Sequence, residues 1–320
     1  MNRRVIVLVC RTTLLIAAAV AVVVALRNCQ QPPTPPEVPV AQTPAGVRVK
    51  AVERKTETVA EGELAAASGD IAIVCGEDAA TAGRYEARNG ALRSIARRRD
   101  LPEKDVAALV AYLRSKDNAM RSERIAALKN DVMNLLRNQE PSPKGLAETL
   151  IAMFRSGKHP SAVLDYCIQH LGAMQCEITD DALRHRIRET FVLAARQTKQ
   201  PYAGTALYSL AEDKRATHSQ KGELKRLTIA LCKQGSHPVA RVSAIQLAGE
   251  RGYKEILPIL RETLSSARRD AVIDIACMGS LGFLGDESDI DILSRFKSDR
   301  RRAAASEAAI IRIKERSRLK

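Results

Sequence analysis

The feature that most constrains this fold is an internal repeat of similar helical segments from residue 84 onward. Three of these segments start at or next to a proline and continue with small residues and large aliphatic residues at helical spacing. The three prolines are Pro160, Pro201 and Pro238. Proline is tolerated in the first turn of a helix, where its missing N–H has no helical partner. The recurrence therefore predicts equivalent helices in successive repeats, and similar segments follow at 271–281 and 303–313.

A second set of helical segments alternates with the first. Each has apolar residues at i, i+3, i+4 and i+7, which is typical of a helix with one buried face. These segments are Gly145–Ser156, Ile187–Thr198, Glu223–Gln234, Ile256–Ser266 and Ile290–Lys297. Their spacing is about 30–40 residues, which predicts stacked helix pairs.

Composition supports an all-α fold. The chain is 45% apolar but only 3% aromatic, and it contains no Trp. Ala, Leu, Ile and Val must then form the core, which favours closely packed helices over a β-sandwich. The apolar fraction also excludes a chain that is disordered throughout.

Two stretches resemble a known family. Residues 236–260 are similar to a HEAT-repeat boundary, and 278–286, Met-Gly-Ser-Leu-Gly-Phe-Leu-Gly-Asp, resembles the A-L-G-x-L-G-D signature of the phycobilisome-lyase-like HEAT class. The resemblance implies a right-handed α-α superhelix, a HEAT-like helical-repeat solenoid. In that geometry Gly282 and Gly285 end a second helix, and Asp286 caps the next first helix.

The N-terminus predicts a single transmembrane helix before the solenoid. Residues 5–26 are almost entirely apolar, and 22 helical residues would cover about 33 Å. Arg3, Arg4 and Arg11 on one side, against Arg27 on the other, predict a cytoplasmic N-terminus and an extracytoplasmic, periplasmic C-terminal domain. The alternatives are a lipoprotein, with Cys29 at its lipidation site, and a secreted protein with a cleaved signal.

The remaining organisation follows from composition. We expect a membrane anchor or signal at 1–29, a Pro-rich linker at 30–46, a partly ordered lead-in at 47–83 and the solenoid at 84–320. Within the lead-in, 70–75 is open to two interpretations, a short strand or a docking segment. The layout suggests a bacterial envelope protein.

The net charge of +14 does not indicate nucleic-acid binding. Residues 1–50 and the last twenty residues each carry a net +5, so the 250 residues between them carry only +4. A nucleic-acid-binding domain usually concentrates its basic excess on the fold itself. We therefore expect no nucleic-acid partner.

No catalytic, cofactor or metal site is predicted. Cys167, His170 and Cys176 form the one suggestive cluster, but no fourth ligand stands at a spacing suited to zinc. Cys167 and Cys176 are instead a candidate disulfide, which an oxidising envelope would permit.

The sequence thus favours a non-catalytic protein–protein interaction scaffold, held outside the membrane by its Pro-rich stalk. Its partner would be another envelope protein or a peptide, because stacked repeats expose an extended binding surface. The alternative is a lyase or chaperone-like modifier of another protein, which the phycobilisome-lyase resemblance implies.

Overall fold

The computed structural model describes residues 69–267 and 270–319, and all regular structure in these ranges is helical. The prediction of an all-α fold is confirmed. Fourteen α-helices occur in the described ranges: α1 (69–75), α2 (Tyr85–Ile95), α3 (Glu103–Arg114), α4 (Ser122–Arg137), α5 (Leu146–Ser156), α6 (Ser161–Met174), α7 (Asp181–Arg196), α8 (Tyr202–Ala211), α9 (His218–Cys232), α10 (Pro238–Glu250), α11 (Leu257–Ser265), α12 (Ala271–Leu284), α13 (Ile290–Ser294) and α14 (Ala303–Arg318).

From α3 onward the helices pair as an α-solenoid. The odd-numbered helix is the first of each pair and the even-numbered helix is the second. In each pair from α3–α4 to α11–α12, the second helix packs on the second helix of the next pair. First helices also contact one another, at α3–α5, α5–α7, α7–α9 and α11–α13. Each pair therefore buries its apolar face against its neighbours, as the repeat pattern predicts.

Small residues bring the second helices close together. A Cβ atom placed on Gly172 of α6 would lie only 2.6 Å from Ser209 Oγ of α8, so no larger residue fits there without a shift. Three further junctions have the same close approach, namely Gly204 on Ser243, Gly249 on Ser280, and Gly282 on Ala309. Close backbone approach explains why this chain forms a dense core with few aromatic residues.

The prolines of the repeat signature stand at helix starts. Pro160 and Pro201 immediately precede α6 and α8, and Pro238 is the first residue of α10. The carbonyl of Pro160 accepts hydrogen bonds from the N–H groups of Val163 and Leu164. All three prolines thus stand where no helical N–H is required.

One expectation about the glycine signature needs correction. Helix α12 continues to Leu284, so Gly282 lies inside the helix and serves the approach of α14. Gly285 follows as the C-cap residue. The Asp286 carboxylate accepts hydrogen bonds from the Ser288 N–H and hydroxyl, which caps the short 3-10 turn before α13.

The lead-in also differs from one expectation. Residues 70–75 belong to helix α1 and do not form a strand. Ile71 and Val74 are buried at helical spacing against the first pairs. Because a five-residue apolar run, 71–75, fits a strand or a helix equally well, periodicity alone could not decide between them.

The predicted span at 5–26 and the linker at 30–46 lie outside the described residues. Among the helices that the structure describes, none combines the length and the hydropathy needed to cross a bilayer.

Candidate functional site

A cleft of about 660 Å³ opens between the first two helix pairs. It is bounded by the α3–α4 connection, by α4, by the end of α5 and by the start of α6. We call it the basic cleft, because Arg114, Lys116, Lys129 and Lys158 line it, against a single carboxylate, Asp117. Its volume falls in the range of pockets that hold small molecules.

Lys129 is the most unusual residue in the basic cleft. It lies on the buried face of α4 and is only 1% exposed. Its ammonium donates hydrogen bonds to the carbonyls of Leu113, at 2.8 Å, and Ser115, at 2.6 Å. These carbonyls belong to the C-terminal end of α3, where helical acceptors lack intrahelical donors. Burial lowers the pKa of Lys129 to about 8, and the Asp117 carboxylate opposes that shift only in part.

A buried ion pair supports the cleft wall. Arg88 of α2 contacts Asp117 at 2.8 Å, and their side chains are 1% and 8% exposed. The Asp117 carboxylate also accepts a hydrogen bond from the Tyr112 hydroxyl at 3.2 Å. Arg88 further donates to the carbonyls of Val74 and Ala82, so it ties α1 to this wall. The one carboxylate of the cleft is therefore already neutralised.

The cations at the mouth are available to a ligand. Among the residues that the structure describes, Arg114, Lys116 and Lys158 form no ion pair, and Lys116 and Lys158 are exposed. Arg114 donates to the Thr149 hydroxyl at 2.6 Å. His159 lies beside them half-buried, and burial together with Lys129 lowers its pKa, which favours the neutral imidazole. The mouth is therefore an electropositive surface.

The interior of the basic cleft is apolar. Ile125, Met153 and Val163 are buried there, and Met120 lies partly exposed beside them. Met side chains adapt to irregular shapes because three rotatable bonds separate the backbone from the methyl group. The cleft thus combines an apolar interior with a positively charged rim.

The cluster that the sequence singled out does not line the basic cleft. Cys167 is fully buried, Cys176 is exposed, and both are free thiols, so the structure does not join them. Burial raises the pKa of Cys167 to about 12, which keeps it protonated. His170 donates through Nε2 to Asn130 and accepts through Nδ1 from Arg137. Burial and the Arg137 charge lower its pKa to about 4, so it is a neutral core residue. In the described part of the chain, no three His, Cys, Asp or Glu side chains converge as metal ligands.

Sequence reasoning overlooked two signals for the basic cleft. Lys129 falls on the apolar stripe of α4, four residues after Ile125 and three before Val132, where a charged residue is unexpected. The second signal is a Glu-Thr pair that recurs in three first helices, at 148–149, 189–190 and 262–263. Thr149 and Thr263 of this pattern each accept a hydrogen bond from an arginine of the preceding pair.

Comparisons with known proteins give little further identification. No family model matches the chain, and no curated protein matches it. Among solved structures, the chain is similar to human deoxyhypusine hydroxylase in complex with glycerol, with 13% sequence identity and a TM-score of 0.31. That match covers 79% of this chain and 99% of the other. A likeness this weak assigns no activity to the chain.

The expectation of a non-catalytic scaffold needs correction. The solved structure reported above is named as a hydroxylase. The prediction is wrong as a conclusion from the fold, because it rested on the helical-repeat architecture alone, and a fold does not decide between a scaffold and an enzyme.

Proposed function

We propose that this protein binds a small carboxylate-bearing ligand in the basic cleft. The ligand's carboxylate would lie among Arg114, Lys116 and Lys158 at the rim. Its apolar portion would lie against Ile125 and Met153 in the interior. The protein would thus recognise an amphipathic organic acid.

The observation that carries this proposal is the charge of the rim. Its cations form no ion pairs within the described residues, and the lining carboxylate, Asp117, is already held by Arg88 at 2.8 Å. An anionic ligand would therefore gain charge-assisted contacts without breaking an internal ion pair. The N-terminus of α6 also opens at the cleft without a side-chain cap, and its dipole favours negative charge.

Isothermal titration of the full chain with three matched ligands tests the proposal. We expect 4-phenylbutyrate to bind about tenfold more tightly than the neutral 4-phenylbutanol, a difference of ~1.4 kcal/mol. The cationic 4-phenylbutylamine should bind more weakly still. The preference for the carboxylate should decrease at high salt, because exposed charges are screened.

A charge-reversal variant and a matched control make the test specific. The double change Lys116→Glu and Lys158→Glu should weaken 4-phenylbutyrate binding by about tenfold or more at low salt. The control changes two exposed lysines outside the cleft, Lys254→Glu and Lys297→Glu, which alters net charge equally. Equal binding of acid, alcohol and amine, or equal loss in both variants, would refute the proposal.

The location of the protein and the finer fold assignment rest on sequence alone. We propose that residues 5–26 anchor the chain, that the repeats lie on the periplasmic side, and that they form a right-handed HEAT-like superhelix. A cysteine replacing Thr34, in a chain whose Cys29 and Cys176 are changed to Ser, should react with a membrane-impermeant maleimide in intact spheroplasts. Labelling only after lysis would contradict the topology. Binding of another envelope protein or peptide stays a prediction.

A further inference from the structure

The most distinctive buried group in the molecule is the Lys129 amine on the wall of the basic cleft. Its two hydrogen bonds go to the carbonyls of Leu113 and Ser115, which accept a hydrogen whether the nitrogen is charged or neutral. A tetrahedral amine has one further position. In the ammonium form that position carries the third hydrogen, and in the neutral form it carries the lone pair.

The surroundings shift the protonation equilibrium of Lys129 toward the neutral form. The groups that face Lys129 from the elements packed around it are Arg88 of α2, Tyr112 of α3, Asp117 of the α3–α4 connection, His159 before α6, and Cys167 of α6. Arg88 and Lys129 both stack on the Tyr112 ring, with centroid distances of 5.1 and 5.4 Å. Burial of the amine, which is 1% exposed, disfavours its charged form; the Asp117 carboxylate opposes this in part, and the Arg88 charge on the same ring adds a smaller repulsion.

We propose that Lys129 is a nucleophile that forms an imine with a carbonyl-bearing organic acid, an oxo acid or an aldehyde acid, held in the basic cleft. This inference rests on the proposed function, since it names the class of ligand for the same cleft. The geometry supplies a fixed amine on the wall and cations at the rim for the ligand's carboxylate.

The reaction is a condensation. The lone pair of the neutral amine attacks the carbonyl carbon, an N–C bond forms, and a proton moves from nitrogen to oxygen to give a carbinolamine. Loss of that oxygen as water then forms the C=N bond. No oxidant or reductant is consumed. The lowered pKa of Lys129, about 8, supports the step because about a tenth of the amine is neutral at pH 7.

Reductive trapping tests the inference on the full chain. Glyoxylate and sodium cyanoborohydride are added at pH 7.5, and the modified lysines are mapped by peptide mass spectrometry over time. We expect Lys129 to be carboxymethylated at least about tenfold faster than Lys116, an exposed lysine of the same cleft. Modification of Lys129 no faster than Lys116 overturns the inference.

Lys129→Arg is the matched variant, because guanidinium retains the charge and the donors to both carbonyls but forms no imine. It should abolish the fast modification while the remaining lysines react as before. If this variant does not fold, the rates mapped in the unaltered chain decide the question alone.

Uncharged propanal separates this inference from the proposed function. Fast modification of Lys129 by propanal, together with no preference for 4-phenylbutyrate over its alcohol, would retain the nucleophile and reject the acid-binding function. Tight acid binding without fast modification by either aldehyde would do the reverse.

Discussion

The basic cleft and a second cleft, three pairs further along the chain, are built from the same parts but differ in chemistry. The second, which we call the Arg241 cleft, has a volume of about 310 Å³. It is lined by the α9–α10 connection, by the start of α10, by the end of α11 and by the start of α12. Both lie where the connection inside one pair meets the following pair.

Arginine has one role in common at both places. Arg114 donates to the Thr149 hydroxyl in the basic cleft, and Arg241 donates to the Thr263 hydroxyl in the other, each at 2.6 Å. Arg241 also bonds the carbonyl of Cys232 at 2.8 Å, so it joins the end of α9 to α11. In the basic cleft it is Lys129 that bonds the carbonyls at the end of the first helix of the pair.

Because Arg114 and Lys129 each make only one of these two contacts, the basic cleft stays open. A single buried arginine, 8% exposed, occupies the Arg241 cleft, and carboxylates at Glu262, Asp270 and Asp274 line it. The basic cleft has twice the volume and the opposite sign of charge. The comparison teaches that the same pair junction can form a cleft of either charge, and that a few side chains decide whether it serves packing or leaves room for a ligand.

The largest expected difference between the clefts concerns their buried carboxylates. Asp117→Asn leaves Arg88 buried without a countercharge and should lower the free energy of unfolding by about 3–5 kcal/mol. Asp274→Asn should cost only about 1–2 kcal/mol, because Arg302 keeps Asp299 at 2.6 Å. Urea denaturation of both variants measures the two losses. Equal losses would show that the clefts are supported in the same way.

The next effect concerns the shared arginine–threonine bond. Thr263→Val leaves a donor of the buried Arg241 unsatisfied and should cost about 1–3 kcal/mol. Thr149→Val should cost less than about 0.5 kcal/mol through this bond, because the exposed Arg114 can bond to water instead. The same denaturation assay compares the pair. A larger loss for Thr149→Val would mean that the Arg114–Thr149 bond stabilises the fold more than the Arg241–Thr263 bond does.

How much of this the sequence reveals depends on the range of the interaction. The spacing predicts one buried stripe of Ile256, Ile259, Leu260 and Leu264. Three of these residues are buried and Ile259 is partly buried against the same core, because helical periodicity is local. The position of Asp286 at a helix start is local as well. By contrast, Lys129 bonds carbonyls 14 and 16 residues earlier in the chain, and Arg88 pairs with Asp117 across a whole helix. No spacing rule connects such residues, so the sequence marks Lys129 as an unusual position on the apolar stripe of α4 but does not show which residues it meets.

A smaller effect distinguishes Lys129 of the basic cleft from Arg241 of the Arg241 cleft: only the lysine makes the free energy of unfolding depend on pH near neutrality. The pKa of Lys129 lies near 8 in the folded chain and near 10.5 when unfolded. Between these values the unfolded state binds more protons, so the lysine makes stability rise with pH. The free energy of unfolding of the unaltered chain, minus that of Lys129→Arg, should rise by about 1 kcal/mol from pH 8 to pH 9. A flat difference would mean that Lys129 keeps an ordinary pKa.

The smallest expected effect tests whether ligand binding needs the open volume of a cleft as well as its positive charge. We expect no second binding site when the Arg241 cleft is made more basic. Glu262→Lys makes the Arg241 cleft more basic, yet Arg241 still occupies it and its volume remains near 310 Å³. An exposed charge three pairs away is also screened beyond about 8–10 Å at moderate salt. The affinity for 4-phenylbutyrate and the number of bound ligands should therefore change by less than about twofold. A second bound acid in calorimetry would show that charge alone creates a site at any pair junction. A single site that Lys158→Glu weakens would show that the open volume beside Lys129 is required as well.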